Sequence, residues 1–89
     1  MSYKVAWHTE ALEDLARLDK SRAREIVGKV DDYLSEDPLA LGNPLKGIFR
    51  GLFRYRCGDY RVIYSIDRKE ELLSVLTVGH RKNVYGRTR

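Results

Sequence analysis

Polar and apolar positions alternate at the start of the chain, with Tyr3, Val5 and Trp7 on one side and Lys4, Ala6 and His8 on the other. That is the period-2 pattern of a half-buried strand. The period then lengthens. Thr9 is placed to cap a helix, Glu10 lies in its first turn, and Leu12, Leu15 and Ala16 follow at helical spacing, which predicts about ten residues of helix. Asp19-Lys20-Ser21 interrupts the pattern, and Ser21 is placed to cap a second helix. Its stripe is Ala23, Ile26, Val27, Val30, Tyr33 and Leu34, and Pro38 is expected to stop it.

Residues 37–47 contain both prolines, Pro38 and Pro44, with Gly42, Asn43 and Gly47, and read as an irregular connection. From Leu52 onward the period is that of strands, at roughly 52–57, 60–66 and 72–79. Gly58-Asp59 suits a two-residue type II′ turn between the first two. The polar run Asp67-Arg68-Lys69-Glu70 links the second to the third. Leu72 to Val78 is apolar on both faces, as expected of a strand inside a sheet. The predicted order is β-α-α-β-β-β, an α+β fold: a helical hairpin packed on one face of a small, mainly antiparallel four-stranded sheet. The other face is left open.

At 89 residues the chain is expected to form one domain spanning 1–89. A lone cysteine, Cys57, excludes an intramolecular disulfide, a Cys/His zinc knuckle and a C-x-x-C redox pair. The opening residues lack the apolar stretch of a signal peptide, and nowhere do 18 apolar residues run together. A cytoplasmic protein is expected. The formal net charge is +4, unevenly spread. Residues 1–43 carry six Lys and Arg against nine Asp and Glu, whereas residues 44–89 carry eleven against four. A polyanionic partner for the second half would fit this asymmetry.

With Gly58 and Asp59 as the turn, Arg56 falls opposite Arg61 and Arg54 takes the next diagonal on the same face. Like charges facing each other across a ladder are destabilising. Guanidinium forks grip phosphate bidentately and stay protonated, so the cluster suits anion binding and charge stabilisation. The alternative is three ordinary solvated side chains on an exposed sheet face. Arg81, Lys82 and Tyr85 follow the last strand, with Arg87 and Arg89 beyond. Tyr85 is a candidate acid/base among cations that would lower a phenol's pKa; its alternative role is packing at a sheet edge. His8, on the first strand, reads as structural, and so does His80, although it borders the basic cluster.

Three segments, Pro44-Leu45-Lys46-Gly47, Gly58-Asp59-Tyr60-Arg61-Val62-Ile63-Tyr64 and Gly79-His80-Arg81-Lys82-Asn83-Val84-Tyr85, come in an order and spacing that resemble the RelE/ParE toxin superfamily. The opening strand and the helical hairpin starting near Ala11-Leu12-Glu13-Asp14-Leu15 extend the resemblance over nearly the whole chain. The resemblance implies a toxin that enters the ribosomal A site and cleaves mRNA there by attack of the 2′-hydroxyl on the adjacent phosphate, with no metal or other cofactor. It implies catalytic roles for Arg61, which would hold the phosphate, and for Arg81 and Tyr85. Lys46, Arg54, Arg56 and Lys82 would hold RNA. Arg54 and Arg56 stand where some members have lysines; arginine stabilises charge but does not readily accept a proton, so Tyr85 is the preferred base, with Lys82 or a strictly electrostatic mechanism as the alternatives. A cognate antitoxin is also implied, laying a helix and an acidic segment over the basic face. The superfamily includes ParE-like gyrase inhibitors, which use the same fold to bind a protein target; fold alone does not choose between them.

Overall fold

The computed structural model describes residues 2–80. Strand β1 (Lys4–Trp7) leads into helix α1 (Thr9–Ala16) and helix α2 (Lys20–Asp32). A 3-10 turn (Leu34–Glu36), a short helix α3 (Pro38–Leu41), strand β2 (Asn43–Pro44) and a second 3-10 turn (Gly47–Phe49) follow. Strands β3 (Phe53–Cys57), β4 (Tyr60–Asp67) and β5 (Leu72–His80) complete the described chain. The sheet order is β1-β5-β4-β3-β2, with β1 parallel to β5 and every other pairing antiparallel.

The expected α+β architecture is present, with one strand more than the four predicted. The addition is the two-residue β2, in the stretch read as irregular; Asn43 pairs with Arg54 and Pro44 with Phe53. A proline is tolerated there because β2 is an edge strand. The helix boundaries also differ from expectation. His8 and Asp19, not Thr9 and Ser21, occupy the N-cap positions, and neither makes a side-chain capping bond. Helix α2 ends at Asp32, where Tyr33 leaves helical geometry. Pro38 therefore starts a helix instead of stopping one: it occupies the first turn of α3, where its missing N–H has no cost. Asp37 caps that turn by accepting from the Ala40 N–H at 3.3 Å.

Ala11 and Leu15 of α1 and Ile26 and Val30 of α2 pack with Val62 and Tyr64 of β4 and Leu73, Val75 and Val78 of β5. Val75 and Val78 share this face despite their odd spacing. Between Ile63/Thr77 and Tyr64/Val75 the pairing skips one residue of β5, so Leu76 forms a bulge and the alternation restarts beyond it. This is why β5 reads as apolar on both faces while being interior to the sheet.

Tyr64 is the largest fully buried side chain. Its hydroxyl donates to the Pro38 carbonyl at 2.7 Å, and it sits so close to Gly42 that a Cβ there would meet the phenolic oxygen at 1.8 Å. The glycine thus makes room for the tyrosine that anchors α3 and the β2 connection to the sheet.

Candidate functional site

The β3–β4 hairpin has the register expected from Gly58-Asp59: Cys57 faces Tyr60, Arg56 faces Arg61 and Tyr55 faces Val62. Gly58 has φ +61°, and Asp59 is not among the residues with positive φ, as a type II′ turn requires. Phe53, Tyr55 and Cys57 belong to the helix-facing side and pack with the core. Arg54, Arg56 and Arg61 are thereby directed to the opposite face. Directly opposed residues in such a ladder lie about 4.5–5.5 Å apart, so two guanidinium groups stem from neighbouring points on the backbone.

Arg56 is exposed, while Arg54 and Arg61 are half-buried. Arg61 also makes a long 3.5 Å contact from Nη1 to the Tyr60 carbonyl. The ion pairs formed between described residues, Arg17–Asp14 and Arg22–Glu25, both involve helix residues. Arg56 has no ion-pair partner among the described residues. Lys46 is exposed and precedes the second 3-10 turn, on the connection from β2 to β3. Arg81, Lys82 and Tyr85 lie outside the described residues.

This face is not uniformly open, contrary to expectation. Ile63 and Thr77, paired across β4 and β5 on the arginine side, are 0% and 3% exposed. The Thr77 hydroxyl is buried without a hydrogen-bond partner among the described residues. The described tyrosines and the cysteine with raised pKa stay protonated and are poor proton acceptors near neutral pH. Burial, with smaller contributions from Cys57 and Tyr33, pushes the Tyr55 phenol up. Burial and then Glu25 push the Cys57 thiol up. The Tyr64 phenol is raised mainly by burial, then by Tyr55. Among the described residues no group of three His, Cys, Asp or Glu side chains is gathered in a way that could hold a metal ion.

Sequence reasoning missed two features on the helix side. Asp14, given no role in the sequence reading, is buried and accepts from the Val78 backbone N–H at 2.9 Å and from Arg17 at 2.7 Å. His80 stands edge-on to Tyr60, with ring centroids 5.8 Å apart, and the Arg22 guanidinium lies 5.8 Å from the Tyr60 ring centroid. The only cue was proximity of His80 to the basic cluster. Between α1 and α2, Leu12, Leu15, Ala16, Ala23 and Val27 line a groove of about 450 Å³, and Lys20 and Arg24 bring charge to it. No described helix is long and apolar enough to cross a membrane.

Comparison with known proteins places this geometry. Residues 5–85 match the family model of the ParE toxin of the type II toxin-antitoxin system parDE. Toxin RelG of Mycobacterium tuberculosis is 36% identical over 87 residues, 98% of this chain and 100% of the relative. Toxin RelE of the same organism is 36% identical over 83 residues, covering 93% and 86% of the two chains. Among solved structures, the toxin-antitoxin complex RelBE2 of M. tuberculosis superimposes with a TM-score of 0.88 at 34% identity, over 91% of this chain and 93% of that one. The archaeal RelE-RelB complex of Pyrococcus horikoshii OT3 gives 0.70 at 30% identity, over 91% and 97%. With the family model matched over residues 5–85, relatives 36% identical over nearly the whole chain and the fold of a solved relative in common, this chain belongs to the RelE/ParE superfamily of type II toxin–antitoxin toxins.

Proposed function

We propose that the chain is a ribosome-dependent mRNA endoribonuclease, acting in the cytoplasm and held in check by a cognate antitoxin. The observation that carries this reading is Arg56 directly across the ladder from Arg61, on the face the helices leave uncovered and with Arg54 beside them. Stacking like charges in this way is unfavourable in the empty protein, by a few tenths of a kcal/mol to about 1 kcal/mol. A phosphodiester bound between them adds guanidinium–phosphate attractions that offset that repulsion.

In the proposed reaction the RNA 2′-oxygen attacks the adjacent phosphorus, a new O2′–P bond forms, and the P–O5′ bond breaks. The proton leaving the 2′-hydroxyl goes to a base, for which Tyr85 as phenolate is the candidate, and the 5′-oxygen leaves with a proton supplied by an acid. Arg61 holds the phosphate, and Arg81 balances the charge that builds on its non-bridging oxygens. Arg54, Arg56, Lys46 and Lys82 align the RNA backbone. These roles come from the resemblance of the motifs and from the hairpin register.

For the antitoxin we assign two surfaces. The apolar α1–α2 groove suits the hydrophobic stripe of an amphipathic helix, with its carboxylates against Lys20 and Arg24. An acidic extended segment over Arg54, Arg56 and Arg61 would occupy the RNA site itself.

The match to the ParE toxin model favours one other reading, inhibition of DNA gyrase through protein binding. Primer extension on a defined mRNA in a purified translation system separates the two. Cuts in the A-site codon that disappear with Arg61→Ala and Tyr85→Phe support the nuclease. Intact mRNA, together with gyrase–DNA cleavage complexes on plasmid, supports the gyrase inhibitor.

A further inference from the structure

At one end of the sheet, the first residue of β4 and the last residue of β5 are paired, Tyr60 with His80. Tyr60 and Arg61 are consecutive in an extended strand, so their side chains leave on opposite faces. The arginine goes to the basic face and the tyrosine to the helix side. Around the Tyr60–His80 pair the protein leaves a cavity of about 210 Å³, walled by Asp14, Arg17, Leu18, Gly79 and the two rings. Both rings are half-buried, and Arg22, exposed in the first turn of α2, lies against Tyr60.

The chemistry of the walls selects a ligand. A bare anion gains little, because Arg17 is already engaged by the buried Asp14 carboxylate. A flat, neutral, aromatic ring fits: it would meet the tyrosine and imidazole rings, with backbone and polar groups of Gly79 and His80 at its edge. Arg22, against the Tyr60 ring and outside the cavity, is placed to attract the charge of an attached phosphate. We propose that this cavity is a nucleobase subsite, receiving one unstacked base of a single-stranded RNA whose neighbouring phosphate lies over the rim of the sheet on Arg61. It rests on the reading of the chain as an RNA-handling toxin, and it adds a base contact on the helix side to phosphate contacts on the open face. Such stacking tolerates any base, since each has a π-face.

The test uses the full-length free protein and small probes that contain no cleavable phosphodiester. Each nucleoside 5′-monophosphate is titrated while the side-chain NMR signals of Tyr60 and His80 are followed, with ribose 5-phosphate as the base-free control. Nucleotides are expected to move both signals saturably, and ribose 5-phosphate to leave them in place. Removing one stacking ring, in Tyr60→Leu or His80→Ala, should weaken nucleotide binding about tenfold. If Tyr60→Leu does not fold, His80→Ala and Arg22→Ala carry the test.

Equal shifts with ribose 5-phosphate would make this an anion site and overturn the proposal, as would nucleotides that leave both signals unmoved. The fate of the nuclease reading is separable. Nucleotide binding here with uncut mRNA on the ribosome would sink that reading and keep the subsite. Cut mRNA without nucleotide binding here would do the reverse.

Discussion

Asp14 and Val78 lie 64 residues apart in the chain and are joined by a 2.9 Å hydrogen bond from the Val78 backbone N–H to Asp14 Oδ2. The bond has a topological cause. Strand β1 accompanies β5 only as far as Trp7 opposite Val75, and the chain then turns into α1. Past that point β5 has lost its parallel neighbour, and the Asp14 carboxylate, 4% exposed, supplies the acceptor that another strand residue would have provided.

Asp14→Ala should therefore destabilise the fold by about 1.5–3 kcal/mol, the range for losing a buried hydrogen bond to a charged group. The midpoint of thermal unfolding should fall by several degrees, and by less in Asp14→Asn, which keeps an acceptor. Amide hydrogen exchange at Val78 should accelerate in Asp14→Ala. An unchanged midpoint would mean that β5 is held by other contacts.

Relieving the opposed charges on the hairpin should separate stability from activity. Arg56→Thr is expected to stabilise the protein by a few tenths of a kcal/mol to about 1 kcal/mol, while weakening RNA binding and reducing the salt dependence of that binding. Denaturant midpoints and RNA titrations at two ionic strengths check both halves. A variant that loses stability and affinity together would show Arg56 to be part of the packing.

Tyr64 should make the fold sensitive to alkali. Its folded pKa is raised above the unfolded value of about 10, so its contribution is fully present below pH 10 and is lost as pH rises beyond it. Unfolding midpoints measured from pH 8 to 11 should fall at the alkaline end, and Tyr64→Phe should flatten that fall. At neutral pH the same variant should lose about 1–3 kcal/mol because the Pro38 carbonyl loses its donor. Gly42→Ala should be destabilising as well, since the new methyl and the phenolic oxygen cannot share the space.

The α1–α2 groove makes a prediction about the partner. Leu12 is 52% exposed there, so Leu12→Glu should leave the isolated toxin folded and weaken antitoxin binding about tenfold or more, through loss of apolar contact and repulsion of carboxylates. Calorimetric titration with the cognate antitoxin reads this directly. Unchanged affinity would remove the groove from the interface.

Much of this molecule was legible from residue order, for physical reasons that differ by region. The β3–β4 hairpin was readable to the single residue because a two-residue turn fixes register, and register fixes which face each arginine takes. Strand β1 was readable from alternation and the two helices from their apolar stripes. The short elements between Leu34 and Pro44 were not, since a four-residue helix and a two-residue strand carry too little periodicity to signal themselves. Pro38 misled because the same residue that ends one helix can begin another. The Leu76 bulge was hidden in a run of apolar residues that looks the same in either phase. On the site, Arg54, Arg56 and Arg61 share the expected face, whereas Asp14 and the Tyr60–His80 pair needed three dimensions, since their partners come from distant parts of the chain.

The bulge at Leu76 divides β5 into two segments of independent phase. Residues before it are tuned to the core through Leu73 and Val75, and those after it to the far end of the sheet through Thr77, Gly79 and His80. Changes in length at this point can be absorbed: deleting Leu76 would merge the two segments into one regular ladder and leave every distal side chain on the face it already takes. A lineage could thereby lose or regain this one residue in a single step without turning either face of the strand over.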